Sequence, residues 1–379
     1  YYFRGEVEVE TPQEQKSRKA YYIGHRKAYH WNEVDDRFDL SKEPNEANRF
    51  GWVVEIDPRD PSSTPVKRTS LGRIFHESAN PVLNYDGRVV VYMGDDGRNE
   101  FLYRFVSTEK YNPQNHNPDI LDTGTLSVAK FFEDGHLKWL PIKFGEGPLN
   151  EENGFFSQAD CLIDLRIVGR LLEATPMDRT EDVEPHSTTG KIYVNCTNNS
   201  TRGMEGKPPV NPANPRERNI FGHTLEIQSP QMSKGFDHSA SEMNWDILIL
   251  AGDPHQRESQ FNVKYGNLEQ SAIGERYFGC PDNACIDPKG RLWISTDGSE
   301  ETVGFSDGLY GIETDGEKKG MAHRIFQSPI GAEVTGPCFS DDGCDLFVAV
   351  QHPNCAWPFE DDVARPSVVV LQRGDGTAI

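Results

Sequence analysis

The sequence predicts an all-β chain folded as a β-propeller, and three observations predict it. First, one pattern recurs in four diverged copies: Glu77-Ser-Ala-Asn-Pro-Val-Leu-Asn-Tyr-Asp-Gly87, Glu181-Asp-Val-Glu-Pro-His-Ser-Thr-Thr-Gly190, Asp282-Asn-Ala-Cys-Ile-Asp-Pro-Lys-Gly290 and Glu333-Val-Thr-Gly-Pro-Cys-Phe-Ser-Asp-Asp-Gly343. In each, an acid opens a short strand and a Gly turn closes it. Second, each turn leads into an apolar, β-rich run that ends on a polar residue: Arg88–Asp95, Lys191–Asn198, Arg291–Asp297 and Leu346–His352. A turn such as Asp86-Gly87 between two such runs signals a hairpin, because Gly takes positive φ without a Cβ clash. Third, another strand follows at residues 100–106, 222–227 and 307–313. Units of three or four antiparallel strands, recurring at about 50 residues or a multiple of it, are the spacing of propeller blades.

The remaining elements follow in chain order. Residues 1–50 are polar and irregular, with aromatics at Tyr21, Tyr22, Tyr29 and Trp31, and read as a long loop. Phe50–Asp57 reads as a strand, stopped by Pro58, Pro61 and Pro65. Residues 112–122 are an Asn/Pro-rich excursion, and a hairpin around Asp134-Gly135 is expected to be a further blade without its acid. One helix is expected over residues 158–174, capped by Ser157 and stopped by Thr175-Pro176. Residues 200–218, 228–243 and 253–279 read as long loops, where specificity usually resides.

Composition excludes several functions. Lys+Arg 39 against Asp+Glu 60 gives a net charge of −21, and no basic run is long enough to track a phosphate backbone, which argues against nucleic acid as a partner. No apolar stretch approaches the ~18 residues of a membrane span. The seven cysteines show no zinc spacing. Cys196, Cys285 and Cys338 fall in predicted strands and read as small buried hydrophobes, while Cys280 with Cys285, or Cys338 with Cys344, would pair only in an exported protein. There is no nucleophile elbow, catalytic triad spacing or Walker-type loop.

Chemistry therefore rests on the acids. If the four copies are blades around one axis, Glu77, Glu181, Asp282 and Glu333 face the same channel, and hard oxygens gathered there require a cation, with Ca²⁺ the default. In an antiparallel hairpin the far end of the second strand returns to the same edge, which adds Asp95, Asn198, Asp297 and His352, with Asp307 and His76 nearby. Arg179, two residues before Glu181, shares its strand face and is the candidate for gripping phosphate or carboxylate. Asp86, Asp134 and Asp342 precede turn glycines and read as structural.

Several segments together resemble the PhoX-type alkaline phosphatases: Arg68-Thr-Ser-Leu-Gly-Arg-Ile-Phe-His-Glu77, Val91-Tyr-Met-Gly-Asp-Asp96, Thr175-Pro-Met-Asp-Arg-Thr-Glu-Asp182, Gly279-Cys-Pro-Asp-Asn283, Leu292-Trp-Ile-Ser-Thr-Asp-Gly298 and Gly331-Ala-Glu-Val-Thr-Gly-Pro337. The likeness runs over nearly the whole chain from about residue 50. It implies a six-bladed propeller that hydrolyses phosphomonoesters at a Ca²⁺ and Fe³⁺ cluster in its channel. It also implies twin-arginine export to the periplasm or beyond, although this chain carries no such signal. Residues 1–379 are then a single propeller domain lacking an N-terminal segment, its first blade incomplete, with one inserted helix and long loops. By the same resemblance Glu77 and Glu181 bind metal, Arg179 takes the substrate phosphate, and Asp282 binds calcium, with Asp307 near a further calcium position. Glu333, Asp297 and Asn198 remain candidates from their place at the channel mouth, the first two for metal and Asn198 for substrate. The family's Cys-Glu-Glu segment, whose Cys binds iron, has no counterpart here. The expected protein is a monomer acting on small phosphate esters. The alternatives are a calcium-dependent lactonase on a similar propeller and a non-catalytic binding platform stabilised by calcium.

Overall fold

Alternating apolar residues shape this chain into blades buried on both faces. In the strand Arg88–Gly94, Val90 and Tyr92 enter one core and Val91 and Met93 another, all at most 2% exposed. Full burial of such side chains stabilises by roughly 1.5–3 kcal/mol each. The computed structural model describes all residues except 1, 9, 25–28, 116, 257–261 and 360–362. Five of the residues in the predicted loop 253–279 therefore lie outside it.

The chain opens on α1 (Pro12–Ala20), three short 3₁₀ turns and a small ladder of β1 (Val54–Glu55) with β2 (Val66–Lys67). The first blade is β3 (Asn80–Leu83), β4 (Arg88–Gly94), β5 (Leu102–Lys110) and β6 (Gly124–Phe131), extended by β7 (His136–Pro141). After α2 (Gln158–Ile163) and α3 (Leu165–Leu171) comes the second blade: β8 (Thr180–Pro185), β9 (Lys191–Cys196), β10 (His223–Gln228) and β11 (Glu242–Leu250), with the short β12 (Lys264–Tyr265) on its edge. After α4 (Gln270–Ile273), the third is β13 (Pro281–Ile286), β14 (Leu292–Thr296), β15 (Gly308–Ile312) and β16 (Ala322–Gln327), with α5 (Ser299–Val303) between its second and third strands. The fourth is β17 (Glu333–Phe339), β18 (Asp345–Gln351) and β19 (Ser367–Gln372).

All pairings within the blades are antiparallel, and the innermost strands β3, β8, β13 and β17 stand side by side. This is a β-propeller, with four blades in three sheets among the described residues where the resemblance implies six. Leu292, Ile294 and Tyr310 pack toward the second blade, and Trp293, Leu309 and Val334 fill the gap to the fourth. The fourth blade's other face leaves Val368 70% and Val370 46% exposed. Among the described residues no helix is long and apolar enough to cross a membrane.

Several expectations are corrected. The hairpin of β6 and β7 is not a separate blade: β7 pairs with β11 and joins the first two blades into one sheet. The predicted helix over 158–174 is two helices broken at Asp164, whose carboxylate accepts hydrogen bonds from Ser17 and Gln13 of α1. The loop read over 1–50 contains α1, which Thr11, Pro12 and Glu14 mark with a complete capping box. Of the predicted strand 50–57 only Val54 and Glu55 pair. All seven cysteines are free thiols, and Cys338 is exposed rather than buried.

Candidate metal and phosphate site

The innermost strands are irregular at comparable places. Thr180 and Val183 pair with Cys196 and Val194, so three steps on β8 face two on β9; Pro281 and Ala284 do the same against Thr296 and Ile294. Such bulges re-aim side chains, and Glu181 and Asp282 sit inside them. The residue after each of the first three acids then stitches its blade to the next. Ser78 Oγ accepts from Val183 N (3.1 Å), Asp182 Oδ2 from Ala284 N (2.9 Å) and Asn283 Oδ1 from Gly336 N (3.0 Å). Glu77, Glu181 and Asp282 thereby each precede a side chain anchored to the neighbouring innermost strand.

The four opening acids fall into two groups of three carboxylates. Glu77, Asp96 and Glu181 bring ligand oxygens within 4.8 Å of one another, and so do Asp282, Asp297 and Glu333. Asp96 was not among the expected residues. Sequence reasoning stopped at Asp95, but successive side chains on an extended chain face opposite ways. Asp95 turns into the interior, where Arg166 donates Nε at 2.9 Å and Nη2 at 2.5 Å to its carboxylate. Asp96 turns to the channel. Gly94 makes this possible, since a Cβ there would lie 2.4 Å from Glu181 O and 2.5 Å from Thr180 O.

Burial and mutual repulsion raise five of these acids, Glu77, Glu181, Asp282, Asp297 and Glu333, above the ordinary carboxylate value. Glu77 is pushed up to about 7 by burial and by Asp96 and Asp182. Glu181 and Asp282, 2% and 5% exposed, are driven far above the carboxylate range by burial first, then by Asp282 and Asp96 on Glu181 and by Asp297 and Glu77 on Asp282. Burial also raises Asp297 and Glu333.

Arg179 offsets part of this charge. Its Nε and Nη2 donate to the two oxygens of Asp96 at 2.7 and 3.1 Å, and Nη2 lies 2.7 Å from Glu181 Oε1. Burial alone would lower this guanidinium, but Asp96, Glu181 and Asp282 outweigh it and hold the arginine above its ordinary value. Arg179 adopts the left-handed φ of +57°, a conformation that costs a side-chain-bearing residue on the order of 1–3 kcal/mol. Flanking bonds impose it: Asp178 N donates to Asn214 Oδ1 (2.9 Å), Thr197 N to Arg179 O (3.1 Å), and the Asp178 carboxylate is fully buried against Arg202 Nε at 2.5 Å. Arg179 Nη1, with its two N–H groups, makes no hydrogen bond among the described residues and is left for a ligand.

The other expected residues lie outside the two groups. Asp307 is buried with its carboxylate accepting from Thr296 Oγ1 (2.6 Å), Gly298 N (2.9 Å) and Ser299 N (2.8 Å), bracing the start of α5. Asn198, half-buried, lies beside the buried Cys280 thiol. His352 Nε2 lies 3.3 Å from Glu333 Oε2, and His76 Nε2 contacts Gly72 O at 3.0 Å. Asp86, Asp134 and Asp342 accept the backbone N–H two residues ahead, within their turns.

The donor chemistry fits cations. Among the described residues the six carboxylates in two groups pair with no cationic side chain but Arg179 and His352 at the rim, and Glu181 Oε1 is buried without a hydrogen bond of proper geometry. Every ligand atom is a carboxylate oxygen, the set a hard cation such as Ca²⁺ takes.

A family model described as alkaline phosphatase PhoX matches residues 4–354. Pseudomonas fluorescens PhoX, solved in complex with vanadate, a transition state analogue, is 37% identical with a TM-score of 0.88, covering 100% of this chain and 67% of its own. A luciferin-regenerating enzyme (11% identity, TM-score 0.28, 82% of this chain and 95% of its own) is too distant in shape to carry an argument. The same holds for the Xanthomonas campestris gluconolactonase XC5397 (12%, 0.27, 71% and 67%). Among curated proteins none matches the sequence.

Proposed function

The chain belongs to the alkaline phosphatase PhoX family, and from that premise we propose that its two carboxylate groups hold the cations, and Arg179 the phosphoryl group, for hydrolysis of phosphate monoesters. The observation that carries this reading is Arg179 braced between Asp96 and Glu181 with Nη1 uncommitted. Glu77, Asp96 and Glu181 would hold one cation, and Asp282, Asp297 and Glu333 another. Cations held by these groups would neutralise charge on the phosphoryl oxygens and make the phosphorus more open to attack. Arg179 presents its N–H pair to an oxygen that gains charge in the transition state. Because Asp96 and Glu181 already fix its plane, little reorganisation is left for the moment of reaction. Glu181 and Asp282, at 2% and 5% exposure, lie where charge interactions are least screened by water.

Ca²⁺ is the cation this donor set argues for. Fe³⁺ rests on the resemblance alone, since the two groups contain neither Cys nor His. Asp307 and Asn198 act at one remove, through α5 and Cys280. Export to the periplasm or beyond accords with family membership and with an acidic chain of net charge −21. The test is turnover of phenyl phosphate before and after exhaustive chelation, then after Ca²⁺ is restored. Turnover should vanish and return; rates untouched by complete metal removal would end the proposal.

A further inference from the structure

Beside Arg179 and Asp96 the surface opens into a cavity of about 450 Å³ whose walls differ in chemistry. One part is aromatic, with Phe75 and Tyr22 each 41% exposed. Phe75 cannot easily move: the Arg166 guanidinium carbon lies 3.9 Å from its ring centroid, and Asp96 N donates to its carbonyl at 2.9 Å. The other part is basic, carrying the exposed Arg98 and Lys207. Among the described residues neither forms an ion pair.

In a chain of net charge −21, two such cations on the rim of a cavity that ends at Arg179 run against the overall field. They are also braced. Arg202, which holds Asp178, donates Nη1 to Pro209 O at 2.8 Å and so pins the loop that carries Lys207. Asn199 Nδ2 donates to Asn99 Oδ1 at 3.0 Å, tying that loop to the turn that carries Arg98.

A phosphomonoester gripped by Arg179 must place its alcohol part in adjoining space, and this cavity is that space. Its volume suits a ring-sized group. Aromatic faces stack on a planar ring, and exposed cations attract a second anionic group and pair with it. We propose that the cavity is the leaving-group subsite and that it selects phosphomonoesters whose alcohol part carries a planar ring and a further anionic group. The proposal rests on the phosphatase reading above.

The test compares phenyl phosphate with 4-carboxyphenyl phosphate on the wild type, Arg98→Gln, Lys207→Ala and the double variant. Lys138→Ala, an exposed lysine on β7, is the control for net charge. The ratio of kcat/KM for the carboxylated over the plain ester should fall about five- to tenfold in the double variant, the sum of two exposed pairings, and hold its wild-type value in the control. Calorimetric binding of 4-carboxyphenylphosphonate against phenylphosphonate should reproduce that fall without turnover. Phe75→Ala should cut the preference for phenyl over ethyl phosphate about threefold to tenfold. A ratio unmoved in the double variant, in kinetics and in binding, overturns the subsite alone. A wild-type protein that turns over none of these esters overturns the phosphatase reading with it.

Discussion

Replacing Arg179 by Lys and by Ala separates its charge from its geometry. The arginine serves Asp96 with two N–H groups and approaches Glu181 with a third, leaving Nη1 for the phosphoryl oxygen. A lysine keeps the positive charge but has one compact ammonium, which cannot face both carboxylates and a ligand in one plane. Removing a single pre-oriented donor from a developing oxyanion costs about 2.7–4 kcal/mol, or a factor of 10²–10³ in kcat. Arg179→Ala should therefore lower kcat by about 10³, while Arg179→Lys, which retains charge without the fork, should lower it by about 10–10². The metal content should move the other way. Asp96 and Glu181 lose their neutralising partner in the alanine variant, so Ca²⁺ measured by elemental analysis should stay level or rise. The assay is steady-state hydrolysis of phenyl phosphate at saturating Ca²⁺, with metal content and thermal midpoint determined on the same preparation. An alanine variant that keeps kcat within about threefold of wild type at equal metal content would refute the assignment, because a phosphoryl-binding donor is worth far more than that.

Asp96→Asn should reduce bound Ca²⁺ and activity together, and calorimetric titration with Ca²⁺ reads the loss directly. Because the metal-free fold holds Glu77 protonated up to about pH 7, Ca²⁺ must displace that proton. Affinity should thus weaken as pH falls through 7, by up to about tenfold per pH unit for each proton released, and the protons on Glu181 and Asp282 extend the dependence above pH 7. The same raised value means that the metal-free fold binds more protons than the unfolded chain between pH 4.5 and about 7, so its thermal midpoint should fall as pH rises through that window. Asp182→Ala removes the side-chain acceptor of Ala284 N, while Asn80 Nδ2 keeps Val183 O and Glu184 Oε2, and should destabilise by about 1–3 kcal/mol, read by denaturant midpoint.

Hairpin chemistry made the blades legible in the sequence. Acid, apolar run, Gly turn and second apolar run are local features, and they placed the strands around Gly87, Gly190, Gly290 and Gly343. Local signals also marked α1, yet its capping box was passed over beside so much polar sequence. The break at Asp164 was not readable, because it depends on Ser17 and Gln13 arriving from another part of the chain. Residue type and position gave five of the six grouped carboxylates. The sixth, Asp96, was lost to a register decision between adjacent acids, which Arg166 settles by claiming Asp95. Asp307 looked equivalent to its neighbours until the donors around it were known. The cavity wall was invisible for a similar reason, since Phe75, Arg98 and Lys207 belong to three segments that only the fold brings together.

The chain of acceptors formed by Ser78, Asp182 and Asn283 works as a spacing gauge. Each innermost strand takes its height along the axis from the strand before it, so a slip at one propagates to the next instead of being absorbed locally. The separation between the two carboxylate groups is consequently set by peptide-to-side-chain lengths in the channel wall. Residues 200–218 bear on the site by another route, through Arg202 and Asn214, which hold Asp178 beside Arg179 rather than either carboxylate group.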